Sequence, residues 1–405
     1  MTIRPVAARR PVLVAGASLR DVPAPDWNAL VEPDEPFLEH AFLLALETSG
    51  SVGSARGWTP HFVLAYDHDG NRDGDARRLV GAVPLYLKTD SYGEFIFDWS
   101  WANAALRGGI PYYPKLVAAV PFTPASGRRL LLAPGVDAAA VRGALIEGVA
   151  RAADDTGASS VHFLFCTEDE KNALAAAAYH PRLSMQFHWT NRAPAPYESF
   201  DDYLGDFRSE NRKQVRKERA RAAGHGLDLR TVAGSDLTIA EWASLRTLYL
   251  ANVVKHDGTA YLTARFFDII RETFAHRLVA TLASRGGGGD VVAGTVNFEK
   301  GRHLYGRYWG CLEENADLHF ELCYYRLIER AIERGYTRFE AGAQGEHKLK
   351  RGLLPAFTHS AHWIRRPGLS RAIAGFVADE AAAVTDRARA YSAHSPFRSG
   401  RAEAI

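Results

Sequence analysis

Between Arg338 and Pro355 the chain reads RFEAGAQGEHKLKRGLLP. Gly342 and Gly345 bracket Gln344, and Glu346, His347, Lys348 and Arg351 follow within the same short loop. A connection that only joins two strands is normally shorter and built from turn residues. The residue types here suit acyl transfer to an amine. That reaction needs a neutral amine, a carbonyl held against it, and donors aimed at the oxygen that becomes negative. The glycines let backbone N–H groups come close to a carbonyl or phosphate. Lys348 or Arg351 can hold a donor phosphate, and Glu346 or His347 can take the amine proton, directly or through water. The inert alternative is a surface ion pair between Glu346 and Lys348, with His347 a satisfied polar residue.

Nearby residues extend this candidate site. In HFELCYY, His319 and Glu321 fall in the first turn of a helix whose N-terminus follows RYWG and can bind anions. Glu321 is therefore a further catalytic candidate and His319 a binding candidate, while Phe320, Tyr324, Leu327 and Ala331 form an apolar stripe expected in the core. Strand alternation places Arg307 and Trp309 on one face and Tyr308 on the other, so one face is expected to line a cleft. In the first half, KTDSYGEF and YYPK supply Lys88, Tyr92, Tyr113 and Lys115. Bases among aromatics suit a nucleotide or sugar-phosphate acceptor, and equally a core of aromatic strands. No metal site is expected: His359 and His362 point to opposite faces of one strand and cannot share an ion without a bulge.

The elements that must position these groups follow from periodicity and punctuation. EPFLEHAFLLALETSG reads as a helix closed by Gly50. HFVLAYD and LVGAVPLYLK read as paired strands, FIFDWSW as a strand with one aromatic face, AAAVRGALIEGVARAADDTG as a helix and SSVHFLFC as a strand. The second half runs through helices at AEWASLRTLYLANVVK and ARFFDIIRETF, and strands at RLVATLAS, VVAGTVNFEK and RHLYGRYWG. A helix at LHFELCYYRLIERAIERG and strands at YTRFEAG and FTHSAHWIR complete it. Two helices, a meander, a helix and two closing strands are the layout of a GNAT acyltransferase domain. The rough repetition of that order in both halves suggests two of them.

Arg208 to Arg221 holds seven bases, Arg208, Arg212, Lys213, Arg216, Lys217, Arg219 and Arg221, against Glu210 and Glu218. At helical spacing the bases cover about two-thirds of the circumference, leaving a stripe of Leu204, Phe207, Val215 and Ala222. Such a face is either solvated by ion pairs or binds phosphates, with Arg212, Lys213, Arg216 and Lys217 as the contacts. With 405 residues, 49 basic and 47 acidic side chains leave a net charge near +2, so an anionic partner must be held by a local patch. The length suggests two domains of roughly 150–200 residues. Apolar runs fall short of the roughly 18 residues a span requires, the N-terminus lacks an apolar signal core, and three scattered cysteines form no disulfide framework. A cytoplasmic protein is expected, its oligomeric state left open.

The blocks FLEHAFLLALETSGSVG, VPLYLKTDSYGEFIFDWSWA, YYPKLVAAVPFTPASGRRLL, FDDYLGDFRSENRKQVRKERA, LHFELCYYRLIERAIERG and FEAGAQGEHKLKRGLLP carry a resemblance. In this order they resemble the FemAB-like proteins of the peptidoglycan biosynthesis/recognition family, of GNAT type. The resemblance implies an α/β (α+β) fold of tandem GNAT-like domains with mixed central sheets flanked by helices. The expected boundaries are residues 1–198, residues 199–366 opened by a basic helix at about 207–223, and a helical tail over 367–405. It implies an acyltransferase with no permanently bound cofactor, using aminoacyl-tRNA as co-substrate and an amine-bearing small molecule or peptide as acceptor. The alternatives are an acetyl-CoA-dependent N-acetyltransferase and a non-catalytic module binding wall fragments or nucleic acid. A CoA-dependent GNAT protein carries a glycine-rich pyrophosphate loop after its fourth strand. Here GCLEENADLHF fills that place with three acids and no such glycines, which favours tRNA over CoA.

Overall fold

The computed structural model describes residues 10–67, 77–256, 258–286, 288–343 and 345–398. Its first elements are β1 (Val12–Ala17), α1 (Ala24–Asn28), α2 (His40–Thr48), β2 (Trp58–Pro60), β3 (Phe62–Asp67), β4 (Arg78–Val83), β5 (Leu85–Lys88) and α3 (Trp99–Arg107). Next come β6 (Lys115–Ala118), β7 (Leu131–Leu132), α4 (Ala138–Asp155), β8 (Ser160–Cys166), α5 (Glu168–Ala176), β9 (His180–Thr190), α6 (Phe200–Gly205) and α7 (Ser209–Ala223). Then follow β10 (Leu227–Ala233), α8 (Ile239–Lys255), α9 (Ala264–Thr273), β11 (Leu278–Arg285), β12 (Val291–Lys300) and β13 (His303–Cys311). The chain closes with α10 (Leu318–Phe320), α11 (Arg326–Glu333), β14 (Arg338–Glu340), β15 (Leu354–Ile364) and α12 (Pro367–Ala393). No described helix is long and apolar enough to cross a membrane.

The chain packs into two compact units, both discontinuous in sequence. One comprises the residues up to Glu32, Phe37–Ser184 and Thr358–Ala381; the other comprises Pro33–Pro36, Met185–Phe357 and the residues from Ala382 on. The segment from Pro367 is thus divided between them, and β9 and β15 each contain a crossing point.

In the first unit, β1, β3, β4 and β7 form one antiparallel sheet. Pro84 lacks the N–H a ladder requires, so LVGAVPLYLK becomes two strands, and β5 pairs instead with β2 and β6. β6 runs parallel to β8, which pairs antiparallel with the end of β15. FIFDWSW departs from the expected strand. Phe95 has φ 61°, and Asp98 begins α3 at Trp99. The physical reason is distant in sequence: the Asp98 carboxylate is held by the Lys115 ammonium at 2.5 Å and the Tyr112 hydroxyl at 2.7 Å. On the facing strands, His162 and His362 are register partners. Their Nδ1 atoms lie 2.7 Å apart, Ser160 Oγ is 2.8 Å from His162 Nε2, and Ser360 Oγ is 2.9 Å from His362 Nε2. All four side chains are buried.

In the second unit, β11 to β13 form the expected antiparallel meander, which β10, a strand not expected from the sequence, extends beside β11; β14 joins β13 in parallel and pairs on its other side with β9. Thr238 and Glu241 close a capping box at the start of α8, as the sequence pattern T-x-x-E dictates. α8 lies directly on β13: a Cβ at Gly310 would sit 2.0 Å from the Leu248 carbonyl oxygen. Gly310→Ala is expected to destabilise the fold by about 1–3 kcal/mol, read as a lowered melting temperature. Between α10 and α11, Glu321–Tyr325 form a π turn, so the helix expected over LHFELCYYRLIERAIERG is continuous but carries a π bulge. Its stripe is core as expected for Tyr324, Leu327 and Ala331, with Phe320 partly buried against them.

Candidate active site

β13 and β14 share only three residue pairs, ending at Tyr305 with Glu340. There β14 ends, and β13 continues to Cys311. Opposite, the register with β12 shifts at Arg307: Gly306 faces Asn297 and Tyr308 faces the adjoining Val296. Such a bulge breaks the alternation expected from sequence. Arg307 therefore lies against Tyr308, its guanidinium carbon 5.3 Å from the ring centre, and does not share the Trp309 face. Tyr308 packs on Tyr249 of α8, while Trp309 meets His319 edge-on at 5.1 Å on the opposite side.

The loop after β14 folds into a 3-10 turn, Glu346–Arg351, flanked by Gly345 at φ 114° and Gly352 at φ 81°. Left-handed conformations at both ends explain the glycines. The turn sends Lys348 inward. Its side chain is 2% exposed, and Nζ donates to the Gly342 carbonyl at 2.8 Å. Among the described residues no carboxylate answers this charge, and burial pulls the Lys348 pKa down to about 8. His347 is exposed and lies 2.9 Å from the Tyr324 hydroxyl through Nε2. Burial, with Arg351 and Lys348 adding, lowers its pKa below the ordinary 6.5. Burial brings His319 down to about 4; its ring centre stands 6.0 Å from that of His347. Lys348, His347, Tyr324, His319 and Trp309 thus form one constellation just past the end of β14, and near pH 7 its imidazoles are neutral.

Against the same turn, a cavity of about 700 Å³ is lined by residues including Gln214, Glu218, Phe320, His347, Arg351 and Tyr391. The Arg351 guanidinium lies 3.3 Å over the Phe320 ring centre and donates to Glu218 at 2.8 Å. Glu346 accepts the Tyr391 hydroxyl proton at the rim, with no ion pair to Lys348. Gln344 lies outside the described residues. Glu321 is buried in an ion pair with Arg219 at 3.1 Å and Arg326 at 3.4 Å, which places it in the scaffold of the π turn. Tyr324 as the partner of His347 was missed, because the apolar-stripe reading treats a tyrosine as mere volume.

A model of the FemAB-like family, described as peptidoglycan biosynthesis/recognition, matches residues 18–399. This chain belongs to the FemAB-like family. The crystal structure of FemX superposes on the FemAB-like chain with TM-score 0.51 at 12% identity, covering 88% of this chain and 98% of FemX. The fold is the tandem GNAT-like α/β architecture. Two further structures align with TM-scores of 0.47 and 0.44, each at 13% identity. They are L-PGS from Bacillus licheniformis, over 82% of this chain and 95% of its own, and a tandem GNAT protein from the clavulanic acid biosynthesis pathway, over 88% and 99%. Comparison with curated proteins finds no match.

The remaining candidate residues of the FemAB-like chain fall elsewhere. In the first unit, Lys88 and Lys115 are fully buried, and both ammonium groups are answered internally. Lys88 donates to Asp90 and to the Tyr92 carbonyl, both at 3.0 Å, and burial lowers its pKa to about 8. Lys115 donates to Ser91, Glu94 and Asp98, and burial holds Glu94 at about 7. Tyr113 shares a 2.8 Å hydrogen bond with Ser91, while Tyr92 is 62% exposed. On the basic helix α7, Leu204 and Phe207 precede the helix, so the buried seam consists of Val215, Glu218 and Ala222. Arg216 makes an exposed pair with Asp201 at 3.4 Å; Arg212, Lys213 and Lys217 have no carboxylate partner among the described residues. No described group of three or more His, Cys, Asp or Glu is arranged to hold a metal ion.

Proposed function

We propose that this FemAB-like protein is an acyltransferase that moves an aminoacyl group from aminoacyl-tRNA to an amine, with the chemistry at Lys348 and His347. The observation that carries the reading is the buried Lys348 ammonium just past the end of β14, with no carboxylate against it among the described residues. A buried cation without a carboxylate is costly on its own and suited to a negative charge that develops during reaction. The amine nitrogen attacks the ester carbonyl, and Lys348 meets the oxyanion. In the tautomer whose Nε2–H donates to the Tyr324 oxygen, His347 has Nδ1 bare to take the amine proton. The carbon–oxygen bond to the ribose then breaks as the amide forms, and the ribose oxygen leaves with a proton. The family description makes a wall precursor the first acceptor to test, with other amine-bearing small molecules and peptides next.

The donor assignment is supported by the partnerless bases of α7 and by the start of α10. Asp317 stands at that helix start, its carboxylate 2.9 Å from Arg221, where a CoA pyrophosphate would otherwise meet backbone N–H groups. Acetyl-CoA is therefore expected to bind no tighter than about 1 mM, roughly −4 kcal/mol, by calorimetry. Charged tRNA is expected to be retained on filters and to yield an aminoacylated acceptor. Micromolar acetyl-CoA binding with acetylated product would replace this reading with an N-acetyltransferase.

A further inference from the structure

Glu218 is an unusual residue for its place. The basic helix α7 turns this carboxylate into its own buried seam, between Val215 and Ala222. Its Oε1 accepts from Gln214 Nε2 and from an Arg351 nitrogen, both at 2.8 Å, and Oε2 accepts the Tyr325 hydroxyl proton. The second terminal nitrogen of Arg351 donates to the backbone carbonyl of His347 at 2.7 Å. One carboxylate thus grips the 346–351 turn through a guanidinium, and the π turn that carries Tyr324 through a phenol. The neighbouring Arg219 adds a second anchor, bonding Glu321 at 3.1 Å and Glu329 at 3.2 Å. The contact of Arg219 with Glu321 is bidentate, Nε and a terminal nitrogen each donating at 3.1 Å, and such a pair fixes orientation as well as distance.

We propose that Glu218 is a positioning residue: by holding Arg351 and Tyr325 it keeps Lys348 and His347 in register with α7, the helix that carries the phosphate-binding face. This rests on the function proposed above in taking Lys348 and His347 as the working groups, α7 as the phosphate-binding face and charged tRNA as the donor. A site displaced by about 1 Å loses rate on the order of a hundredfold without losing its ligands, so the effect belongs in turnover rather than in donor binding.

Acylation by a water-soluble N-hydroxysuccinimide ester, read by peptide mass spectrometry, tests the enclosure without substrate. In the wild type, Lys348 is expected to react at least about tenfold more slowly than exposed Lys350, its enclosure outweighing the larger share of free amine that its lower pKa gives it. Glu218→Gln is expected to abolish most of that protection with Lys350 unchanged, and to lower kcat about thirtyfold with KM for charged tRNA within twofold. Glu218→Asp, which keeps the charge, is expected to recover part of both. If Glu218→Gln lowers only the folded fraction, leaving the labelling ratio and kcat per folded molecule unchanged, the proposal is overturned. Should that variant not fold, Tyr325→Phe removes one donor, and the same two ratios decide in the same way. A wild-type Lys348 that labels as fast as Lys350 overturns this proposal and the proposed chemistry together. A protected Lys348 released by Glu218→Gln, in a protein that transfers nothing from charged tRNA, supports the positioning role and refutes the donor.

Discussion

Lys348→Met is expected to lower turnover about a hundredfold while raising the melting temperature. The loss follows from removing a preorganised cation at a developing oxyanion, worth about 2.7 kcal/mol. The gain follows from the same burial. The group titrates at about 8 in the folded chain against an ordinary 10.5. Below pH 8 both states carry the proton, and the folded state bears the full penalty, on the order of 3 kcal/mol at 1.36 kcal/mol per pH unit. Between pH 8 and 10.5 the folded chain releases its proton first, and wild-type stability rises towards that of the variant. The melting-temperature difference is therefore largest at or below pH 7 and vanishes near pH 10.5. In the wild type, kcat should rise below pH 6.5 as His347 loses its proton and fall with an alkaline midpoint near 8 as Lys348 loses its own. An unchanged kcat in the folded variant would remove the 346–351 turn from the mechanism.

Reversing Arg212, Lys213, Arg216 and Lys217 to Glu is expected to weaken tRNA binding and flatten its salt dependence. Each phosphate contact contributes roughly 0.7–0.9 to the slope of log K against log salt. Four contacts make the wild type lose roughly fiftyfold to a hundred-and-fiftyfold in affinity between 50 and 200 mM salt, a loss the variant should not show. The fold should survive, since Lys213, Arg216 and Lys217 are exposed, Arg212 is half-buried without a carboxylate partner, and the inward anchors Glu218 and Arg219 are untouched. Filter binding across a salt series reads both quantities. A wild type with no salt-dependent tRNA binding would leave α7 as scaffold alone.

Much of this fold was legible because local rules agreed with the tertiary outcome. The capping box of α8, the glycine after α2 and the alternating strands of the meander all carry their signals within a few residues. The family blocks were legible for the same reason, being contiguous. What escaped depends on partners far along the chain. FIFDWSW alternates like a strand, yet Lys115 draws Asp98 into the core and a helix begins beside it. Lys88 and Lys115 read as phosphate ligands because sequence shows their charge and not the carboxylates folded against it. The bulge at Arg307 and the π turn each insert one residue into a regular pattern, and no residue type in LYGRYWG or ELCYY announces them. Glu218 was within reach: its spacing from Val215 and Ala222 puts it on the seam, where a charge must have a partner.

The four buried side chains Ser160, His162, His362 and Ser360 have a consequence of their own. Near neutral pH both rings carry one hydrogen each, since burial keeps His162 at about 3 and His362 well below 6.5. Only one Nδ1 can donate across the 2.7 Å gap, so the other ring must be the opposite tautomer. That choice fixes both serines: one hydroxyl donates to a bare Nε2, and the other accepts from an Nε2–H. The row has two self-consistent hydrogen arrangements, mirror images in polarity, and no ordered state between them. Passing from one to the other means reversing every donor and acceptor in concert, so replacing either imidazole by phenylalanine would remove the direction of the whole row.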